Sequence, residues 1–93
     1  MIYRLKFHSR FLEHIEMHKK AGNKILLKKI ENLVSEVRTH PRVGTGKPEQ
    51  LKYFEGEIWS RRIDAKHRMI YEIAEDELIV IAISAFGHYD KRK

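Results

Sequence analysis

A chain of 93 residues has room for one domain and one small core. Hydrophobic residues make up 42% and charged residues 34%, spread along the chain, which excludes a disordered polyelectrolyte and predicts a soluble globular protein. Nineteen lysines and arginines against 13 acidic residues leave a net charge of +6, a field that favours polyanions, with nucleic acid ahead of a membrane surface. The absence of cysteine excludes disulfides and thiolate metal sites. No run approaches the ~18 apolar residues of a membrane span, and MIYRLKFHSR has no apolar signal segment, so a cytoplasmic location is expected.

IYRLKF alternates apolar and basic residues and predicts a first strand, with Ile2, Leu5 and Phe7 as its β-formers. Ser9 is placed to cap a helix from Arg10 to about Lys20, whose stripe is Phe11, Leu12, Ile15 and Met17, and Ala21-Gly22-Asn23 gives the turn after it. Leu26, Ile30, Leu33, Val34 and Val37 recur at helical spacing in a second helix that Pro41 ends. So short a connection makes the two an antiparallel hairpin.

The period then changes. RVGTGKPEQLKYFEGE reads as a loop with a short strand at Leu51 to Phe54, and EIWSRRI, RMIYEIA and ELIVIAISAF read as three strands joined by tight turns at DAKH and EDE. The expected architecture is α+β: one domain over residues 1–93, an N-terminal strand, then a helix hairpin against one face of a small, mainly antiparallel sheet. The last strand is apolar at nearly every position and predicts a central strand covered on both faces.

His14 and His18, in HIEMH, lie one helical turn apart. A zinc-protease box needs Glu directly after the first His, and Glu16 sits one place later, so these two, like His8, His40 and His67, are read as solvated, with no metal site. GTGKPEQLK lacks the Gly-Lys-Ser/Thr ending of a nucleotide loop, which leaves a rigid turn holding Glu49 between Lys47 and Lys52. If the DAKH loop is the three residues Asp64 to Lys66, Arg62 faces Arg68, while Trp59 pairs with Tyr71 and Arg61 with Met69 on the other side. Two opposed arginines either bind an intervening anion or are ordinary exposed residues on a sheet face. Trp59 is read as structural.

A Glu, a His, a Tyr and several cations suit cleavage of RNA through its own 2′-hydroxyl without a metal or other cofactor. A base takes the 2′ proton, cations hold the phosphorane, and an acid protonates the 5′ leaving oxygen. Histidine suits the acid role because it titrates near neutrality.

The string GKPEQLKYFEGEIWSRRIDAKHRMIYEI followed by the terminal His88-Tyr89 resembles the Txe/YoeB family of toxins in the RelE/ParE superfamily. The resemblance covers most of the chain. It implies the toxin of a type II toxin–antitoxin system, a ribosome-dependent endoribonuclease that cuts mRNA at A-site codons. It further implies Glu49 as general base, Arg68 as phosphorane stabiliser, His88 as general acid and Tyr89 as a positioning group, with Lys47, Lys52 and Arg62 holding RNA phosphates. The implied partners are the ribosome and its mRNA, a YefM/Phd-type antitoxin and a second copy of the chain as a homodimer. Phe86 and Gly87 stand where relatives often carry an arginine or tyrosine, and Asp90 to Lys93 extend past the pair. Two competing readings keep the chain without catalysis: a toxin that inhibits gyrase by binding, and a basic RNA-binding domain.

Overall fold

The computed structural model describes residues 1–87. In chain order they form β1 (Arg4–Phe7), α1 (Ser9–Lys20), α2 (Lys24–Val37), β2 (Glu49–Gln50), β3 (Glu57–Arg62), β4 (Arg68–Ala74), one 3-10 turn (Glu75–Glu77) and β5 (Ile79–Ser84). The chain is α+β as expected, and His88, Tyr89 and the Asp90 to Lys93 tail lie outside the described residues.

The first helix starts one step earlier than its sequence suggests. His8 is the cap, with Nδ1 accepting from the Arg10 N–H at 3.1 Å, and Ser9 is already helical. Its inward stripe also differs. Phe11, Ile15 and His18 follow the i, i+4, i+7 spacing into the core, while Leu12 and Met17 face outward at 52% and 45% exposure. Gly22, at φ +70°, supplies the left-handed residue that ends α1, and Asn23 caps α2 by accepting from the Leu26 N–H at 3.2 Å. Leu26, Ile30, Leu33 and Val37 are buried on one face of α2.

The five strands lie in the order β1-β5-β4-β3-β2, with β1 parallel to β5 and every other pair antiparallel. Of the loop lengths the sequence left open, the β3–β4 hairpin has the three-residue one, with the register that follows from it: Trp59 lies opposite Tyr71, Arg61 opposite Met69 and Arg62 opposite Arg68. The short strand expected at Leu51 to Phe54 is instead Glu49–Gln50. Leu51 still donates its N–H to the Ile58 carbonyl at 2.8 Å, but Tyr53 adopts φ +71° and turns the chain away from the ladder.

Alternation sorts the sheet into two faces. Met69, Tyr71, Ile73, Val80 and Ala82 join the helix residues in the core. The opposite face carries no helix, and β5 is an interior strand only partly covered there: Val80 and Ala82 are buried in the core, and on the other face Ile79 is buried while Ile81 and Ile83 are half-buried. A β-bulge closes β5. Tyr71 pairs with Ala82 while Ile70 pairs with Ser84, so Ile83 is the extra residue and the strand end is bent as it leaves the sheet.

Candidate active site

The open sheet face collects the polar residues the sequence singles out. Directly opposed residues of an antiparallel pair share a face. Glu49 lies opposite Ser60, and Arg62, two residues on, lies opposite Arg68. Glu49, Ser60, Arg62 and Arg68 therefore project from one face across three strands. The Arg68 guanidinium donates from Nη1 to Ser60 Oγ at 3.2 Å, so it reaches β3 at the residue that lies opposite Glu49. Glu49 and Arg62 are exposed and Arg68 half-buried.

Arg61, one residue before Arg62, points the other way, as the pairing with Met69 requires, and is fully buried. Its guanidinium ion-pairs with Glu36 and donates to the carbonyls of His40, Val43 and Thr45, and its Nε donates to Tyr71 Oη at 3.0 Å. Tyr71 in turn donates to the Pro41 carbonyl at 2.7 Å. The loop from His40 to Thr45, which has no regular structure of its own, is held by one buried cation. Hydrogen bonds from Thr45 and Arg61 outweigh burial at Glu36 and keep its carboxyl below the ordinary range.

This anchored loop delivers β2. Gly46 accepts from the Arg62 N–H at 2.7 Å, and Lys47 follows at φ +51°. Lys47 is exposed and lines, with Arg62, Lys29, Asn32 and Thr45, a groove of about 560 Å³ between α2 and the hairpin. Lys52 is exposed two residues beyond β2. Lys47 and Arg62 thus share a surface, and Lys52 stands apart from it on the other side of Glu49 in the chain.

The end of β5 is held by histidines that sequence reading left in solvent. His14 Nδ1 accepts from the Ala85 N–H at 3.0 Å, and His18 Nε2 donates to the Ala85 carbonyl at 2.8 Å. His67 Nδ1 accepts from the Gly87 N–H at 2.9 Å, and the Arg68 N–H donates to the Gly87 carbonyl at 2.8 Å. The Phe86 ring lies among the three imidazoles, at centroid distances of 5.7 Å from His14, 5.3 Å from His18 and 4.7 Å from His67. His18 is buried, and burial together with the neighbouring His18 lowers the His14 pKa. The i, i+4 spacing in HIEMH puts both rings on one side of α1, where they grip both polar atoms of one residue instead of a metal. Among the described residues, no group of three His, Cys, Asp or Glu side chains is arranged to hold a metal ion.

Beside the clamp, Leu51, Phe54, Ile58, Ile70 and Ile83 line a second groove of about 360 Å³ that reaches Gly87. His88 and Tyr89 follow Gly87 in the chain. Ser60, His14, His18 and His67 are the residues missed in the sequence. Only the His spacing on α1 gave a signal, and it needed the strand end to give it meaning.

Residues 7–89 match the family described as YoeB-like toxin of bacterial type II toxin–antitoxin system. Toxin YoeB of Escherichia coli strain K12 is 42% identical over 60 residues, covering 64% of this chain and 71% of that protein. A YoeB dimer from Staphylococcus aureus superposes with a TM-score of 0.79 at 30% identity, covering 96% of this chain and all of that one. In a heterotetrameric YoeB–YefM toxin–antitoxin complex from the same organism, the matching chain superposes at 0.76 with 28% identity, again covering 96% of this chain and all of that one.

Proposed function

The chain belongs to the YoeB-like toxins of bacterial type II toxin–antitoxin systems, and from that premise we propose that it is a ribosome-dependent endoribonuclease that cuts mRNA at the A-site codon. The observation that carries this reading is the register of β2, β3 and β4. It sets the Glu49 carboxylate on the same face as the Arg62 and Arg68 guanidiniums, and the Arg68 N–H holds the carbonyl of the residue preceding His88.

In this mechanism Glu49 takes the proton of the 2′-hydroxyl. The 2′-oxygen attacks the adjacent phosphorus, the P–O5′ bond breaks, and His88 gives a proton to the departing 5′-oxygen. The products are a 2′,3′-cyclic phosphate and a 5′-hydroxyl. Arg68 neutralises the charge that builds on the phosphorane oxygens, where a positioned donor is worth most. Tyr89 orients the substrate, while Lys47, Lys52 and Arg62 hold flanking phosphates. A carboxylate suits the role of base, and an imidazole, whose ordinary range spans neutrality, that of acid.

The same family supplies the partner reading. A YefM/Phd-type antitoxin would neutralise the toxin, and a second copy would complete a homodimer, as the S. aureus complexes illustrate for their own chains. Action on ribosomes places the toxin in the cytoplasm; among the described residues no helix is long and apolar enough to cross a membrane.

Primer extension on a defined mRNA in a purified translation system tests the reading, comparing wild type with His88→Gln, with and without ribosomes. Cleavage at the A site only with ribosomes and only by wild type supports it. Translation arrest by both proteins with the message intact overturns it and leaves a toxin that acts by binding.

A further inference from the structure

Three imidazoles converge on the three residues that end β5, and none of them has a place in the chemistry just described. From this geometry we infer that His14 and His67 are positioning residues: as neutral imidazoles they fasten Ala85 and Gly87, the stretch of chain that leads to His88, and a proton on either ring undoes its bond. The inference rests on the endonuclease reading, since positioning matters only if the terminal pair works on RNA.

The direction of each hydrogen bond carries the argument. A backbone N–H can only donate, so the Nδ1 atoms of His14 and His67 must accept, and each can do so only without a proton. A carbonyl can only accept, so His18 must carry its proton on Nε2, which both its neutral and its charged form allow. Protonation therefore breaks two of the contacts and spares the third. It also sets like charges around one phenyl ring, because the His18 and His67 rings are 4.9 Å apart.

The surroundings of His14 favour its neutral form. Arg10, Glu13 and His18 face His14 from its own helix, and His67 faces it from the hairpin. Around His67 stand His18 and the Asp64 carboxylate, which accepts from the His67 backbone N–H at 2.7 Å. The described residues at the strand end, Ala85, Phe86 and Gly87, carry no ionisable side chain. Among these described residues, Glu13 and Asp64 oppose the cations, and the burial that lowers the His14 pKa acts in the same sense as its backbone bond. The clamp thus holds only while both rings accept, and it is lost when they take up a proton. This limb runs opposite to the one expected of a histidine acid, whose activity falls as the pH rises.

The test is ribosome-dependent mRNA cleavage between about pH 5.5 and 8, with wild type, His67→Leu, His67→Asn and the matching pair at His14. Asparagine offers a carbonyl oxygen near the Nδ1 position and does not titrate; leucine offers nothing. Leucine is expected to reduce kcat at least tenfold with little change in KM. Asparagine should recover most of that loss, and the His14→Asn/His67→Asn double variant should move the acid limb down by a pH unit or more. In wild type, the Ala85 and Gly87 amides should lose protection from hydrogen exchange over the same pH range as activity, a measurement that stands even where a leucine variant does not fold.

Full cleavage by both leucine variants, or an acid limb that stays in place in the double asparagine variant, overturns the positioning role and leaves the nuclease standing. A wild type that never cuts overturns the nuclease reading, and the positioning role falls with it.

Discussion

The buried Arg61 guanidinium and the Tyr71 hydroxyl are joined at 3.0 Å across the β3–β4 hairpin, and together they hold four carbonyls of the loop that leads to β2. An arginine with no exposed surface is costly to desolvate, and its compensation here is complete: a carboxylate, a phenol and three carbonyls. Tyr71, lifted above the usual phenol range by burial, remains a donor at every physiological pH.

Replacing Arg61 with Met keeps the volume and removes every one of these bonds. Breaking one side of a buried charge pair costs about 3–5 kcal/mol, so Arg61→Met should lower the urea midpoint by a large fraction of a small domain's stability. Glu36→Gln should also be costly, because the amide still accepts from Thr45 and Arg61 but leaves the fully buried Arg61 cation without its counter-charge. Equal, small shifts for both would show that the loop is held by something else.

Acid should destabilise the fold below about pH 4.5. Glu57 is held below the usual carboxylate range first by hydrogen bonding from Arg42, and Glu75 by hydrogen bonds from Tyr3 and Arg42; Glu36 shifts the same way. A carboxyl whose folded pKa lies below its unfolded value of 4.5 stabilises the fold above that value, and the contribution is lost as the pH falls through the folded pKa. His14, lowered from 6.5, adds an earlier and smaller loss beginning below that value. Thermal midpoints of wild type and Arg42→Met between pH 3 and 7 check this: the variant should show a shallower acid decline, because its Glu57 and Glu75 lose their partner.

Most of the fold was legible because it rests on short-range pattern. The strand–helix–helix–strands order and the α2 face follow from periodicity and turn chemistry, whereas the Arg62–Arg68 pairing hung on a loop length that sequence left open and the structure supplies. What escaped depended on partners distant in sequence. Arg61 looks like its neighbour Arg62 until Glu36 and the His40 to Thr45 loop fold over it, and His18 looks solvated until Ala85 arrives 67 residues later. The same holds for the candidate site. Glu49, Arg62 and Arg68 could be named from motif, while the clamp that ends β5 could not.

Glu49→Gln and Arg68→Ala should each abolish most RNA cleavage while sparing the fold. Loss of a general base is worth roughly 10²–10⁴ in rate, and loss of a phosphorane donor roughly 10²–10³. Glu49 is exposed at a sheet edge and Arg68 half-buried on the open face, so stability should stay within about 0.5 kcal/mol for Glu49→Gln. Single-turnover cleavage on programmed ribosomes, read beside thermal melts, separates the two effects. Wild-type rates from either variant would remove that residue from the chemistry.

Gly46 is constrained in two ways at once. Its φ of +85° is one that L side chains rarely adopt, and a Cβ would fall 2.7 Å from the Arg62 carbonyl oxygen. That atom belongs to the backbone of β3 and cannot step aside. Gly46→Ala should therefore cost about 2 kcal/mol. The loop it terminates carries Glu49, so cleavage should fall as well, and a crystal structure of the variant should show β2 displaced from Ser60.

Lys47 and Arg62 border the groove between α2 and the hairpin. Their proposed role is to bind phosphate, which predicts a specific signature. A cation that neutralises one phosphate of single-stranded RNA contributes roughly 0.7 to the slope of log affinity against log salt. Lys47→Ala and Arg62→Ala should each weaken binding to an RNA oligonucleotide and flatten that slope by about this amount, with little effect on stability because both side chains are exposed. The double variant should lose about twice as much slope if the two hold different phosphates, and about as much as one if they share the same anion. An unchanged slope in both single variants would place the RNA elsewhere and reduce these residues to surface charge.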